Sequence, residues 1–310
     1  MSTQQTARTQ HVTSPSGAQY AYRRLGTGLG VPLVLLTHFR GVMDRWDPLF
    51  VNGLAAHRRI ITVDYLGVGL SGGEVATSVR QSAADIEQFL ELIDEHEIDL
   101  LGFSLGGYVA QMVALNAQPV NGRPRVRRLV LAGTGTSYGE KLSQSPNEDV
   151  GAVAGSKHVT LDVFKTLFFP NNREGDAAAE DWWARIHERS PSSISNTTAD
   201  EPEEVSEWLS QDFTDQGKGL LAQVSQGRQF TGQASTSLGI DGAYDRLKDL
   251  QIPVLVANGS NDYMIPTANS FLIQQMVPKG QLLVYPNSGH GFLFQHATAF
   301  VKHVLSFLEN

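Results

Sequence analysis

The stretches VPLVLLTH (31–38) and RRIITVDY (58–65) are apolar with little alternation. A strand with one face in water alternates apolar and polar residues, so these two read as strands covered on both faces, as in a parallel sheet clad by helices. Next, TSVRQSAADIEQFLELIDEH places Ile86, Phe89, Leu90 and Ile93 on one helical stripe. Then come IDLLGF, a helix from about Leu105 to Ala117, and the strand VRRLVLAG (126–133). This alternation of strand and helix predicts an α/β fold built on a doubly wound, mostly parallel sheet. Ahead of it, HVTSPSGAQYAYRRLG reads as a hairpin turning at Pro15, Ser16 and Gly17.

The rhythm stops after Gly133. Residues 134–245 carry aromatic helical pieces, LDVFKTLFFP, EDWWARIHER and EVSEWLS, separated by polar stretches such as SPSSISNTTADEPEE. It resumes with IPVLVANG, a helix near 267–277, QLLVYP and a final helix ending FVKHVLSFLEN. A structureless loop of that length is rare, so the expected organisation is an α/β core of residues 1–133 and 246–310, with a helical unit of residues 134–245 inserted after the sixth strand.

Composition narrows the chemistry. A formal charge of −8 argues against non-specific nucleic-acid binding, which relies on Lys and Arg against phosphates. The basic run Arg123, Arg125, Arg127 and Arg128 leads into a strand and reads as a solvated sheet end. With no cysteine there is no disulfide framework and no thiolate chemistry, and no metal site is expected. No apolar run is long enough to span a membrane, and the polar start MSTQQTARTQHVTS lacks the apolar core of a signal peptide, so a soluble, cytoplasmic protein is expected. GTGLG (26–30) lies between strands with no helix after it and there is no P-loop, so no cofactor is expected.

Two serines sit in G-x-S-x-G strings. Gly102-Phe103-Ser104-Leu105-Gly106 follows a strand directly and opens directly into the apolar stripe Tyr108, Val109, Met112, Val113. That context is what a nucleophile elbow needs: the sharp turn strains the serine backbone, and side chains at Gly102 and Gly106 would collide. Gly107, Ala110 and Ala114 continue a small-residue line that brings the helix close to the sheet. Ser71, in GLSGG, has neither strand nor helix beside it and reads as a turn residue.

A serine hydroxyl is a weak nucleophile and needs a base oriented by a carboxylate. Of nine histidines, His290 in YPNSGHGFLF lies in a glycine-flanked loop between a strand and the last helix, where such sheets bind ligands. Asp262 in VLVANGSNDYMIP occupies a polar loop just beyond a buried-type strand, and the stretch after VRRLVLAG holds no acid until Glu140. Ser104, Asp262, His290 is the chain order of hydrolases with a nucleophile elbow.

With GFSLGG, DYLGVGLSG from Asp64, GSNDYMIP and SGHGF in this order, the chain resembles the α/β-hydrolase family over nearly its whole length. The resemblance implies that residues 134–245 are a helical cap and that backbone N–H groups of Phe39 and Leu105 form the oxyanion hole. One departure stands out: the family usually shows His-Gly after the third strand, whereas here His38 is followed by Phe39 and Arg40 before Gly41. His38, Phe168, Trp182 and Trp183 are candidates to line the substrate pocket. The expected function is a serine hydrolase, of carboxylesterase or lactonase type, acting on a small, moderately apolar molecule. Carbon–carbon cleavage or a non-hydrolytic conversion on the same triad stays open, as do a triad-retaining ligand receptor and a homo-oligomeric state.

Overall fold

The unalternating apolar runs lie side by side in the middle of one sheet. The computed structural model describes every residue except 1, 29, 118, 120, 121, 123, 124, 146–148, 190–204, 233–238 and 310. Among the described residues the strands are β1 (Gln10–Thr13), β2 (Gln19–Leu25), β3 (Leu33–Leu36), β4 (Ile60–Val63), β5 (Ile98–Phe103), β6 (Val126–Ala132), β7 (Val254–Gly259) and β8 (Gly280–Tyr285). Their order across the sheet is β1-β2-β4-β3-β5-β6-β7-β8. The expected hairpin forms β1 and β2, with Gly17 at φ 89° in its turn, and β2 runs antiparallel to β4. Every pairing from β4 across to β8 is parallel.

The helices are α1 (Pro48–Ala55), α2 (Val79–Leu92), α3 (Leu105–Asn116), α4 (Val150–Ala154), α5 (Leu161–Phe168), α6 (Arg173–Ile186), α7 (Lys218–Thr231), α8 (Ala268–Met276), α9 (Phe292–Gln295) and α10 (Ala297–Glu309). Several start where a side chain satisfies an orphan N–H. Asp47 accepts from Leu49 with Pro48 at the first position of α1, and Ser78, Thr160 and Asn172 cap α2, α5 and α6.

Period two along the strands explains the absence of alternation. Leu33, Leu35, Leu101, Phe103, Val130, Leu255 and Ala257 face the layer of α1 and α10. Val34, Leu36, Leu100, Leu129, Leu131, Val254 and Val256 face α2, α3 and α8. On α2 the predicted stripe is buried at Ile86, Phe89 and Leu90. One expectation holds only in part at the bottom of the sheet. Arg125 is buried on the Glu95 carbonyl, and Arg127 grips the buried Asp99 with both Nε and Nη2, alongside Arg58. Within the run Arg125 is therefore not solvated, whereas Arg127 and Arg128 stay half-buried, Arg127 leaning on the buried carboxylate that β5 supplies; Arg123 lies outside the described residues.

Between β6 and β7 come α4 to α7, and no strand among the described residues; the polar stretch 190–204 lies outside them. Phe164, Phe168 and Trp182, from α5 and α6, join the same apolar cluster as Phe103 of β5 and Phe294 of α9. These helices therefore sit over the end of β5 where the chain turns into α3. Among the described residues no helix is long and apolar enough to cross a membrane.

Candidate active site

Ser104 is the single residue between β5 and α3, held at φ 57° and ψ −119°. Such a backbone costs on the order of 1–3 kcal/mol and persists only where its surroundings over-determine it. Here they do. Its N–H donates to Ala132 O at 3.0 Å, and its own carbonyl accepts from Gly107 N and from Thr134 Oγ1, each at 2.9 Å. The glycines have the expected cause with specific neighbours: a Cβ at Gly102 would lie 2.2 Å from Gly106 O, and one at Gly106 would lie 2.2 Å from Leu36 O at the end of β3. Ser71 is a turn residue, its Oγ donating to Asp64 O and accepting from Ala21 N.

The structure brings the other two candidates to Ser104. His290 follows β8, and its Nε2 lies 2.8 Å from Ser104 Oγ. Its Nδ1 lies 2.8 Å from Asp262 Oδ2. A carboxylate only accepts, so Nδ1 carries the ring proton and Nε2 is left to accept from the serine hydroxyl. The other carboxylate oxygen, Oδ1, accepts from the backbone N–H groups of Met264 and Ile265, both at 2.9 Å, which fixes the carboxylate plane. All three side chains are buried.

Two cavities meet at Ser104. The larger, about 830 Å³, is bordered by Phe39, Leu105 and Tyr108 on one side and by α4 and α7, including Ala154, Leu220 and Gln223, on the other. The smaller, about 30 Å³, is bordered by His38, Arg40, Phe164, Phe168 and Met264. Phe39 and Leu105 border the cavity beside Ser104, and among the described residues neither N–H donates to a protein acceptor. Leu105 also opens α3, whose N-terminus favours negative charge.

The pocket candidates divide. His38 and Phe168 border the smaller cavity, whereas Trp182 and Trp183 border neither. Trp182 is fully buried, stacks on Phe294 with ring centroids 5.1 Å apart, and packs behind Phe164 at 4.8 Å. His38 donates from Nδ1 to Phe39 O at 2.9 Å and is ringed by Phe103, Phe164, Phe168 and Trp208. Burial drives its pKa down to about 3, against the opposing bond to Phe39 and aided by the nearby His290, so the ring is neutral at ordinary pH.

Two contributors escaped the sequence reading. Thr134 was visible in the GTGT stretch after β6, but only an acid was sought there. Arg40 was visible as part of the departure after His38, yet all its hydrogen-bond partners among the described residues lie more than a hundred residues away.

A family model described as the alpha/beta hydrolase fold matches residues 31–297. The chain belongs to the α/β-hydrolase family. This α/β hydrolase is 26% identical over 260 residues to 2-hydroxy-6-oxononadienedioate/2-hydroxy-6-oxononatrienedioate hydrolase 2 of Pseudomonas putida, covering 83% of this chain and 79% of that one. It matches the solved structure of an alpha/beta hydrolase fold protein from Chitinophaga pinensis with a TM-score of 0.79 at 28% identity, covering 100% of both chains. It also matches an esterase from Rhodococcus sp. ECU1013 with a TM-score of 0.71 at 23% identity, over 98% of this chain and 99% of that one, a likeness of fold.

Proposed function

We propose that this α/β hydrolase opens a carboxylic ester or lactone of a small, moderately apolar molecule through an acyl-enzyme on Ser104. The observation that carries the reading is the continuous relay from Ser104 Oγ to His290 Nε2 and from His290 Nδ1 to Asp262, at 2.8 Å for each step. Ser104 Oγ attacks the carbonyl carbon while its proton passes to His290 Nε2. The oxygen of the tetrahedral intermediate takes hydrogen bonds from the N–H groups of Phe39 and Leu105. Collapse breaks the carbon–oxygen bond, and the leaving alkoxide takes the proton back from His290. Water, deprotonated by the same nitrogen, then releases the acid and restores the serine. The sequence of steps uses no cofactor and no metal.

In this reading residues 134–245 act as a cap over a core of residues 1–133 and 246–310. The walls contributed by α4, α5 and α7 supply the apolar surface that a small neutral substrate would bury. A second reading is favoured by the name of the Pseudomonas putida relative: the same serine would open a carbon–carbon bond of a hydroxy-oxo-dienedioate.

The experiment is a fluorophosphonate reaction with mass spectrometry, followed by a screen of wild type and Ser104→Ala on short and medium acyl esters and lactones. The expected result is a label on Ser104 and ester turnover that disappears in the variant. A label elsewhere, or none, would remove Ser104 as nucleophile. Cleavage of the dienedioate into two acids with no ester turnover would replace the ester reading by the second.

A further inference from the structure

The N–H assigned above to the oxyanion hole belongs to Phe39, and the residue that follows it is bound away from the sheet. Among the described residues every hydrogen bond of Arg40 goes to the stretch between β6 and β7. Its N–H donates to Gln223 Oε1 at 2.7 Å and its carbonyl accepts from Leu209 N at 3.2 Å. Its Nε donates to Leu209 O at 3.1 Å, and its Nη1 donates to Ala154 O at 3.2 Å and Ser156 O at 2.6 Å.

Two unfavourable features coincide at this residue. Its backbone stands at φ 61°, the left-handed region that a side chain makes costly. Its guanidinium is buried, with Nη2 unpartnered and no carboxylate among the described residues close enough for an ion pair. The other buried arginines differ: Arg23 and Arg189 pair with Asp44, Arg125 approaches Glu91, and Arg45 lies in the field of Asp44 and Glu207. A buried cation held only by carbonyl dipoles, on a strained backbone, needs its whole surroundings in place to persist. Those surroundings are the cavity walls, because Ala154 borders both cavities and Gln223 borders the larger.

We propose that Arg40 is a positioning residue that ties the Phe39 oxyanion N–H to the walls of the substrate cavity, so that the oxyanion hole is complete only when those walls are packed around it. The proposal rests on the hydrolase reading above. A glycine at position 40 would supply the backbone angle but none of the three side-chain bonds. The proposal also predicts that an ester filling the larger cavity gains in kcat, and not only in KM, over an acetate of the same alcohol.

The test uses Arg40→Gly, which keeps the positive φ accessible and removes the guanidinium together with its methylene stem. With a medium-acyl ester, kcat is expected to fall roughly 10- to 100-fold while KM changes less than about threefold. A boronic acid, which becomes tetrahedral on Ser104 and places an oxygen in the hole, is expected to lose affinity by the same factor, and the product acid to lose none. Millimolar guanidinium is expected to return part of the loss. Gln223→Met, which removes the acceptor of the Arg40 N–H from the opposite wall, is expected to give the same signature if Arg40→Gly does not fold. Unchanged kcat and boronate affinity in a folded variant, or a loss confined to KM, would overturn the proposal. Wild-type labelling at Ser104 is scored separately: absent label sinks the hydrolase reading and this one with it, whereas label with unaffected variants sinks this one alone.

Discussion

Replacing Asp262 by asparagine changes almost no atoms and is expected to remove nearly all turnover. Oδ1 of Asp262 accepts from two backbone N–H groups, Met264 and Ile265, so the carbonyl oxygen of an asparagine is forced into that position. Its NH₂ group then faces His290 Nδ1, which must become an acceptor, and the ring proton moves to Nε2. Nε2 lies 2.8 Å from Ser104 Oγ and in that tautomer cannot take the serine proton. A wrong tautomer held in an otherwise intact triad costs about 10⁴ in kcat, or about 5 kcal/mol of transition-state stabilisation. Three hydrogen bonds are retained and no volume is lost, so the melting temperature is expected to stay within a few degrees of wild type. The assay is kcat near pH 7.5 on the best ester of the screen, with a thermal melt and the rate of fluorophosphonate labelling. A variant that keeps a tenth or more of wild-type kcat would refute this chain of reasoning, because it would mean that another group sets the tautomer of His290.

Two further outcomes come from the same geometry. In Gly106→Ala the new Cβ starts 2.2 Å from Leu36 O and must retreat to roughly the 3.0 Å that real contacts keep. A shift of that size between the elbow and the Phe39 loop is expected to cost on the order of 10²-fold in kcat/KM and about 1–3 kcal/mol in urea unfolding; wild-type values for both would show that strand and elbow are further apart. Asp64 is a pH probe. Burial raises its pKa to about 6, even though it accepts from Leu70 N, Ser206 Oγ and Met43 N. The folded state holds this proton more tightly than the unfolded chain, so its contribution to unfolding free energy falls as pH rises from about 4 to 6. Subtracting urea unfolding curves of Asp64→Asn from wild type at pH 4, 5, 6 and 7 is expected to show a difference of a few kcal/mol that shrinks across that window, and a pH-independent difference would contradict it.

The sheet was legible in the sequence because burial on both faces leaves its mark residue by residue. Leu33 to Leu36 alternate between two apolar layers, so the run needs no knowledge of its neighbours to be read. The serine was legible because strand, turn and helix are contiguous in the chain. What was not legible depends on which of two apolar surfaces a residue meets. Phe168 and Trp182 are both buried aromatics on amphipathic helices, and periodicity gives each a face without saying that one borders the cavity beside Ser104 and the other stacks on Phe294. The same holds for Gly106, whose neighbour Leu36 O arrives through the pairing of β3 with β5, where Leu36 lies opposite Gly102. Arg125 was misread for a related reason: its burial is set by the Glu95 carbonyl that the chain brings beside it ahead of the adjacent strand.

The stretch HFRG, at first only a departure from a familiar pattern, is better understood through the charges that the proposed chemistry creates. When Ser104 attacks, a positive charge forms on His290 and a negative one on the substrate oxygen, in a site whose three triad side chains are buried. A protonated His38 would oppose the first of these; its burial among four aromatic rings keeps it neutral down to about pH 3. The neutral ring donates to Phe39 O, which helps fix the Phe39–Arg40 peptide that follows the Phe39 N–H. Gly41 completes the turn because a Cβ there would lie 3.0 Å from the His38 ring and 2.5 Å from Thr37 Oγ1. The one fixed cation in the stretch is Arg40, which borders the smaller cavity beside Ser104 with Phe39, where a developing negative charge benefits from it. Substituting Arg40 therefore removes both a tether and a favourable field. The two separate experimentally, since Arg40→Lys keeps the charge while losing the fork that reaches Leu209, Ala154 and Ser156 together.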